Sequence, residues 1–99
     1  MVIGILGYGV VGRGVYKIAS KNNIEVKRIL ERNISDPILQ TNSIEDIVDD
    51  PEIDTVVECL GGDDIPFKIC AMAFRSGKNV VTSNKKMLVK YLKEINDLA

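Results

Sequence analysis

A chain of 99 residues is the size of one domain, and its 45% apolar and 27% charged residues are typical of a globular protein rather than a disordered one. Thirteen basic and fourteen acidic side chains give a net charge of −1, which excludes the basic surface typical of nucleic-acid-binding and membrane-surface proteins. No signal peptide or membrane span is indicated, because glycines interrupt the first apolar run. Cys59 and Cys70 lack CxxC spacing and a histidine partner, which indicates free thiols, no metal site and a cytoplasmic location.

The chain opens with the pattern of a strand, a tight turn and a helix. Residues 2–6 are mainly apolar, Gly7, Gly9 and Gly12 follow with GxGxxG spacing, and apolar residues then recur at helical intervals. Gly7 permits the sharp turn, Gly9 lets a pyrophosphate approach the backbone, and Gly12 lets the helix pack closely on the strand. The helix start, with Val10 and Val11, then provides an anion site. This context favours a dinucleotide site over a turn that merely joins two elements.

Strand and helix signals alternate along the rest of the chain, which predicts a Rossmann-like, doubly wound α/β domain with a mainly parallel sheet. About four strands are expected, at residues 2–6, 26–30, 55–60 and 80–82. About four helices are expected: one after the glycine turn, one capped by Ser43, one capped by Asp64 and one beginning near Asn84. Residues 31–41 are expected to be an irregular connection. Four strands make only half of a doubly wound fold, so residues 1–99 are expected to be one truncated NAD(P)-binding domain.

The helical periodicity also predicts which apolar side chains face the core. On the first and third helices these are Val11, Val15, Ile18, Ala19, Ile65, Ile69, Met72 and Ala73. The strand at 26–30 is expected near a sheet edge, because the adjacent Lys27 and Arg28 interrupt its alternation.

Ligands of such folds bind at the carboxyl ends of the strands, and charged residues stand at the end of the second one. Glu31 and Arg32 lie nineteen and twenty residues beyond Gly12, close to the offset at which an acid binds the ribose 2′-hydroxyl or an arginine accepts a 2′-phosphate. Glu31 favours NAD, whereas Arg32 allows NADP, so both cofactors stay open. The alternative is a solvated pair of surface charges.

Two further stretches follow the later strands. Gly61 and the neighbouring Gly62 could let the nicotinamide half of a cofactor approach the backbone, and Glu58 needs a partner such as Lys85 or a backbone donor. Thr82 and Ser83 lead to Lys85, whose ammonium could face a substrate oxygen as it gains charge.

Two other residues of these stretches are not expected to take part in the site. Lys86 is expected to face solvent. Cys59 is not expected to be a nucleophile, because the sequence places no base beside it.

These stretches together resemble the nucleotide-binding domain of homoserine dehydrogenase. The matching segments are 7–12, 26–32, 50–58, 61–62 and 80–85, in order along the whole chain. The segment Val80-Val81-Thr82-Ser83-Asn84-Lys85 is the most specific, although the family typically has alanine in place of Ser83. Glu31 stands where an apolar residue is usual, and Asn33 where an acid is usual, which bears on the choice between NAD and NADP.

The resemblance implies an oxidoreductase that interconverts L-homoserine and L-aspartate 4-semialdehyde with NAD or NADP, on the route to threonine and methionine. It also implies that Gly7 to Gly12 hold the pyrophosphate, that Arg32 lies at the adenosine ribose and that Lys85 lies near the nicotinamide. Family members carry a second domain with most of the substrate site and a dimer interface, so this chain alone is expected to be inactive. The alternatives are a non-catalytic NAD(P)-sensing module and the cofactor domain of another amino-acid or semialdehyde dehydrogenase.

Overall fold

A single parallel sheet organises the computed structural model, which describes residues 1–31 and 39–98. Its strands are β1 (Val2–Leu6), β2 (Glu25–Leu30), β3 (Gln40–Thr41), β4 (Thr55–Glu58) and β5 (Asn79–Thr82). They are arranged in the order β3-β2-β1-β4-β5, and every pair of neighbours is parallel. This is the strand order of one three-stranded half of a doubly wound dinucleotide-binding fold with the first two strands of the other half added. The predicted Rossmann-like α/β class is therefore confirmed.

Five helices are present in the described part of the chain. They are α1 (Val10–Lys21), α2 (Glu45–Val48), α3 (Asp64–Arg75), α4 (Lys85–Lys90) and α5 (Leu92–Leu98). Helix α1 packs on one face of the sheet, where Ile3, Ile5 and Ala19 share a buried cluster. Helices α2 and α3 cover the other face, where the buried cluster includes Leu6, Ile47, Val48, Val56, Ile69 and Ala73. The alternation of side chains along β1 thus supplies both cores.

The expected count of about four strands and four helices is one too low in each case. β3 has only two residues, too few to show an alternating pattern, and most of the expected connection at 31–41 lies outside the described residues. The last helix is divided at Tyr91, whose φ of −115° departs from helical geometry. The Tyr91 ring stacks on Phe67 of α3, with ring centroids 4.0 Å apart, and its hydroxyl donates to Asp64. These contacts with α3 could not be read from the periodicity.

Three apolar residues that were expected in the core are exposed. Val11, Ile18 and Ile65 are 56%, 63% and 67% exposed, respectively. On α1 the buried residues are the small Gly12 and Ala19, which let the helix axis approach the sheet and leave the larger neighbours at its flank. On α3 the first buried residue is Pro66. Ile65, which precedes it, lies at the carboxyl ends of the strands beside Gly7 and Glu31.

The helix starts also differ in detail from the expected caps. Helix α2 begins at Glu45, and the Ser43 hydroxyl donates to the Glu45 carboxylate (2.9 Å) instead of capping the helix. Asp46 accepts from the Thr41 hydroxyl (2.5 Å) and so ties the start of α2 to β3. Helix α3 begins at Asp64, one residue earlier than expected.

Candidate functional site

Two clefts lie at the carboxyl ends of the strands, one on each side of Leu60, which contributes to both. The larger cleft has a volume of about 350 Å³ and is lined by Gly7, Glu31, Asn42, Ile65 and neighbouring apolar residues. The smaller cleft has a volume of about 250 Å³, and its lining includes Val11, Glu58, Gly61, Ser83, Asn84 and Lys86. The glycine turn contributes Gly7 to the larger cleft, and the first turn of α1 contributes Val11 to the smaller one. An extended ligand with two rings joined by a bridge matches this layout.

The three glycines of the turn meet different surroundings. Gly7 has a φ of +93°, and a Cβ there would lie 2.9 Å from the carbonyl oxygen of Cys59. A Cβ on Gly12 would lie 2.3 Å from the carbonyl oxygen of Gly7, so glycine is needed for the helix to pack on the turn. A Cβ on Gly9 would meet no atom within 4 Å. The space beside Gly9 is therefore open to a ligand, as the pyrophosphate of a dinucleotide requires.

Helix α1 presents its amino terminus to this open space. Gly9 is the N-cap residue and makes no side-chain cap, and the first turn carries no acidic side chain. The first N–H groups of an α-helix have no partner within the helix and lie at the positive end of its dipole. Val10, the first residue of α1, is 89% exposed. The turn thus has the donors and the access that bind an anionic bridge.

Glu31 lies directly after β2 and lines the larger cleft. Its carboxylate accepts a hydrogen bond from the backbone N–H of Tyr8, inside the glycine turn, at 3.3 Å. Arg32, the other residue expected at the ribose, lies outside the described residues. An acid at this position is typical of dinucleotide sites.

Glu58 joins the ends of β4 and β5. This side chain is 2% exposed and accepts from the Leu60 N–H at 2.6 Å and from the Thr82 hydroxyl at 2.7 Å. Of the partners weighed from the sequence, the backbone donor is therefore the one observed, and Lys85 makes neither of these bonds. The Thr82 oxygen in turn accepts from the Asn84 N–H at 3.0 Å. Thr82, predicted to bind cofactor, thus holds the loop that forms the wall of the smaller cleft.

Asn84 was not among the predicted site residues, yet it ties two loops of the smaller cleft together. Its side-chain oxygen caps α4 by accepting from the Met87 N–H at 3.0 Å. Its side-chain nitrogen donates to the Gly62 carbonyl at 2.8 Å and lies 3.4 Å from the Leu60 carbonyl. An asparagine before a helix signals the cap, but the bonds to the loop after β4 follow only from the fold.

The two lysines at the start of α4 differ in their relation to the smaller cleft. Lys85 is the first residue of the helix and is exposed, and it does not belong to the lining of the smaller cleft. Lys86, which was expected to face solvent, is exposed and also lines this cleft. Both residues follow the carboxyl end of β5, so they lie at the same end of the strands as the glycine turn.

The two cysteines are free thiols with raised pKa values. Burial raises the pKa of Cys59, and the nearby Glu58 carboxylate raises it further. The same two causes raise the pKa of Cys70 to about 12. A thiol that stays protonated is a poor nucleophile.

None of the helices in the described ranges combines the length and the apolar character that crossing a bilayer demands.

Comparison with known proteins gives a consistent result along the whole chain. Residues 7–99 match the family model described as the NAD-binding domain of homoserine dehydrogenase. The homoserine dehydrogenase of Bacillus subtilis is 32% identical over 94% of this chain, and that of Neisseria gonorrhoeae is 35% identical over 98%.

Solved structures agree with the sequence relatives. The crystal structure of a homoserine dehydrogenase from Thiobacillus denitrificans superposes on all of this chain with a TM-score of 0.90 at 35% identity. The match covers 27% of the chain of that protein. The Staphylococcus aureus homoserine dehydrogenase structure at pH 7.0 gives a TM-score of 0.88 at 32% identity. This chain spans about a quarter of the length of the curated relatives, 25% and 26% for the two above. The chain therefore belongs to the homoserine dehydrogenase family and corresponds to its NAD-binding domain.

Proposed function

We propose that this chain is the dinucleotide-binding part of an oxidoreductase that interconverts L-homoserine and L-aspartate 4-semialdehyde with NAD or NADP. The observation that carries the proposal is the glycine turn, in which Gly7 and Gly12 are closed against the backbone while Gly9 faces open space. The family relationship adds the reaction, which is the one that the names of the relatives imply. The nicotinamide ring supplies the hydride acceptor and donor of this reaction when it is bound.

The proposed roles follow the two clefts. Gly7, Gly9, Val10, Val11 and Gly12 bind the pyrophosphate through the turn and the start of α1. The apolar wall of the larger cleft, with Ile44, Ile65 and Ile69, receives the adenine, and Glu31 and Arg32 contact its ribose. Gly61, Thr82 and Ser83 form the nicotinamide side. The smaller size of this second cleft suits one ring held against the loops after β4 and β5.

Lys85 is the proposed catalytic residue of this chain. In the oxidation of an alcohol, the hydroxyl oxygen loses its proton to solvent, and the adjacent carbon would transfer its hydride to a bound nicotinamide. An ammonium group near that oxygen stabilises the negative charge that develops on it. The exposed position of Lys85 at the first residue of α4 supports this role, because the side chain is free to reach a substrate that binds above the sheet edge.

The remaining parts of the proposal concern the whole protein. A second domain supplies the rest of the substrate site, and the chain alone turns over little or no substrate. The whole protein is proposed to form a homodimer and to lie in the cytoplasm. The two free cysteines support the cytoplasmic location, because thiols stay reduced there.

Calorimetric titration tests the proposal directly. We expect NAD or NADP to bind with a dissociation constant of about 1 mM or tighter, which corresponds to about 4 kcal/mol. Adenosine without phosphates serves as the control ligand and is expected to bind much more weakly, because it cannot use the glycine turn. Failure of both dinucleotides to bind at millimolar concentration would argue against the proposed function.

A further inference from the structure

A cluster of charged and aromatic side chains joins the start of α3 to the end of α4. The Asp64 carboxylate, at the first residue of α3, accepts from the Lys90 ammonium at 2.8 Å and from the Tyr91 hydroxyl. Lys90 also lies 3.7 Å from the Asp63 carboxylate. The Tyr91 ring stacks on Phe67, with centroids 4.0 Å apart and planes within 5° of parallel. The two helices are therefore connected by an ion pair, a hydrogen bond and an aromatic stack.

The protonation states that these contacts need are favoured by the contacts themselves. Lys90 and Tyr91, which donate to Asp64, lower the pKa of its carboxyl. The Asp64 carboxylate in turn raises the pKa of Lys90 and the pKa of Tyr91. At neutral pH the carboxylate therefore accepts, while the ammonium and the hydroxyl keep the protons that they donate.

Helix α4 depends on such contacts for its place. It has only six residues, whereas isolated helices shorter than about 12 residues are marginal in water. Met87 packs it on the core, and at its start the Asn84 side chain donates to the Gly62 carbonyl at 2.8 Å. At its end it is held by the contacts with Asp64. Both ends are thus attached to the same short segment, residues 62–64.

This attachment bears on the smaller cleft, because the cleft lies between the two attached segments. One wall consists of residues 58–62, and the other includes Ser83, Asn84 and Lys86. Lys86 and Lys90 are four residues apart, which is about 6 Å along a helix. Loosening the end of α4 would therefore move the second wall of the cleft relative to the first.

We propose that Asp64 is a positioning residue for the nicotinamide end of the cofactor, because by holding the end of α4 it fixes the width of the smaller cleft. The inference rests on the proposed function, which places the nicotinamide in this cleft. Asp64 is not among the residues that line the cleft, so it acts through α4 and not by contact with the ligand. The glycine turn lies on other elements, between β1 and α1, and its pyrophosphate site is not expected to depend on Asp64.

The test compares NADH with ADP-ribose, which has the same adenosine, pyrophosphate and second ribose but no nicotinamide. The ratio of the two dissociation constants, measured by calorimetry, isolates the contribution of the nicotinamide ring. We expect NADH to bind the unmodified chain at least about tenfold more tightly than ADP-ribose. We expect Asp64→Asn to reduce this ratio at least about threefold, because the ion pair with Lys90 is lost and the ring is held less well. The reduced nicotinamide is uncharged, so the lost carboxylate charge acts on both ligands alike and cancels in the ratio.

Two further variants separate positioning from folding. Tyr91→Phe keeps the ring that stacks on Phe67 and removes only the hydroxyl that donates to Asp64. We expect it to lower the same ratio by a smaller factor. Asp97→Asn makes the same chemical change at an exposed position of α5 and is expected to leave the ratio unchanged. The emission spectrum of bound NADH reports the surroundings of its nicotinamide, so it should change in Asp64→Asn and not in Asp97→Asn.

An unchanged ratio in Asp64→Asn would overturn the inference, even if denaturant titration showed that variant to be less stable. An equal loss in Asp97→Asn, or equal affinities for NADH and ADP-ribose in the unmodified chain, would overturn it as well. Each of these results would leave dinucleotide binding intact. If Asp64→Asn does not fold, Tyr91→Phe decides, since a lowered ratio supports the inference and an unchanged one overturns it. Failure of the chain to bind either ligand would contradict the proposed function itself, and this inference with it.

Discussion

Two glycines of the turn allow ligand binding and folding to be separated by single substitutions. Gly9→Ala places a methyl group in open space, and the φ of −78° at this residue suits alanine, so we expect the thermal stability to change little. The same methyl group occupies the space that a pyrophosphate must enter. We therefore expect NAD affinity to fall at least about tenfold, or about 1.4 kcal/mol, measured by calorimetry.

Gly12→Ala is the matched variant with the opposite expected outcome. Its methyl group would lie 2.3 Å from the Gly7 carbonyl oxygen, which belongs to the backbone and cannot rotate away. We expect a loss of about 1–3 kcal/mol or more in the free energy of unfolding, measured by denaturant titration. If Gly9→Ala destabilised the fold as much as Gly12→Ala, or bound NAD normally, the assignment of the open space to a ligand would be wrong.

At the scale of elements, the start of α4 depends on Asn84. Its side-chain oxygen caps the helix through the Met87 N–H, and its side-chain nitrogen bonds the Gly62 carbonyl in the loop after β4. We expect Asn84→Ala to lower the free energy of unfolding by about 1–2 kcal/mol, because both bonds are lost. Asn84→Ser keeps a cap but loses the bond to the loop, so it should cost less. Chemical denaturation of the three proteins measures the difference, and equal losses in both variants would show that the cap contributes nothing.

What could be predicted from the sequence depends on how local the cause of each element is. The glycine turn was predicted because the sharp turn at Gly7 and the close packing at Gly12 both arise within a few residues of chain, and the structure confirms the positive φ of Gly7 and the close approach at Gly12. The contact of Gly7 with the Cys59 carbonyl follows only from the fold. Helix α3 and the strands β1, β4 and β5 were found because their apolar patterns are long or dense enough to read. Two-residue β3 has no such pattern and forms by pairing with Ile29 and Leu30.

The candidate site was harder to predict in its finer contacts. Asn84 and Lys86 take part in the smaller cleft because the loops after β4 and β5 meet there, and that meeting is a property of the sheet order. Ile65 has the spacing of a core residue, yet the start of α3 at the sheet edge exposes it. Helical periodicity identifies an apolar face, but tertiary packing decides which part of that face is covered.

At the scale of the whole molecule, β5 forms one of the two edges of the sheet in the described part of the chain. β5 pairs with β4 on one side only within the described ranges, and Val81 in the middle of β5 is 54% exposed. A doubly wound sheet normally continues beyond this position, and this chain spans about a quarter of the length of its relatives. An open strand edge with an exposed apolar residue favours pairing with another chain.

We therefore expect the 99-residue chain to associate with itself in solution. Size-exclusion chromatography with light scattering should give a mass above the monomer value of 10.9 kDa that rises with protein concentration. Val81→Lys places a charge on the edge strand and should shift the mass toward the monomer, because a buried lysine opposes strand pairing. Val89→Lys is the control, since Val89 is 80% exposed and lies on α4 rather than on β5. A monomer mass at every concentration, or equal effects of both lysine variants, would exclude β5 as the site of association.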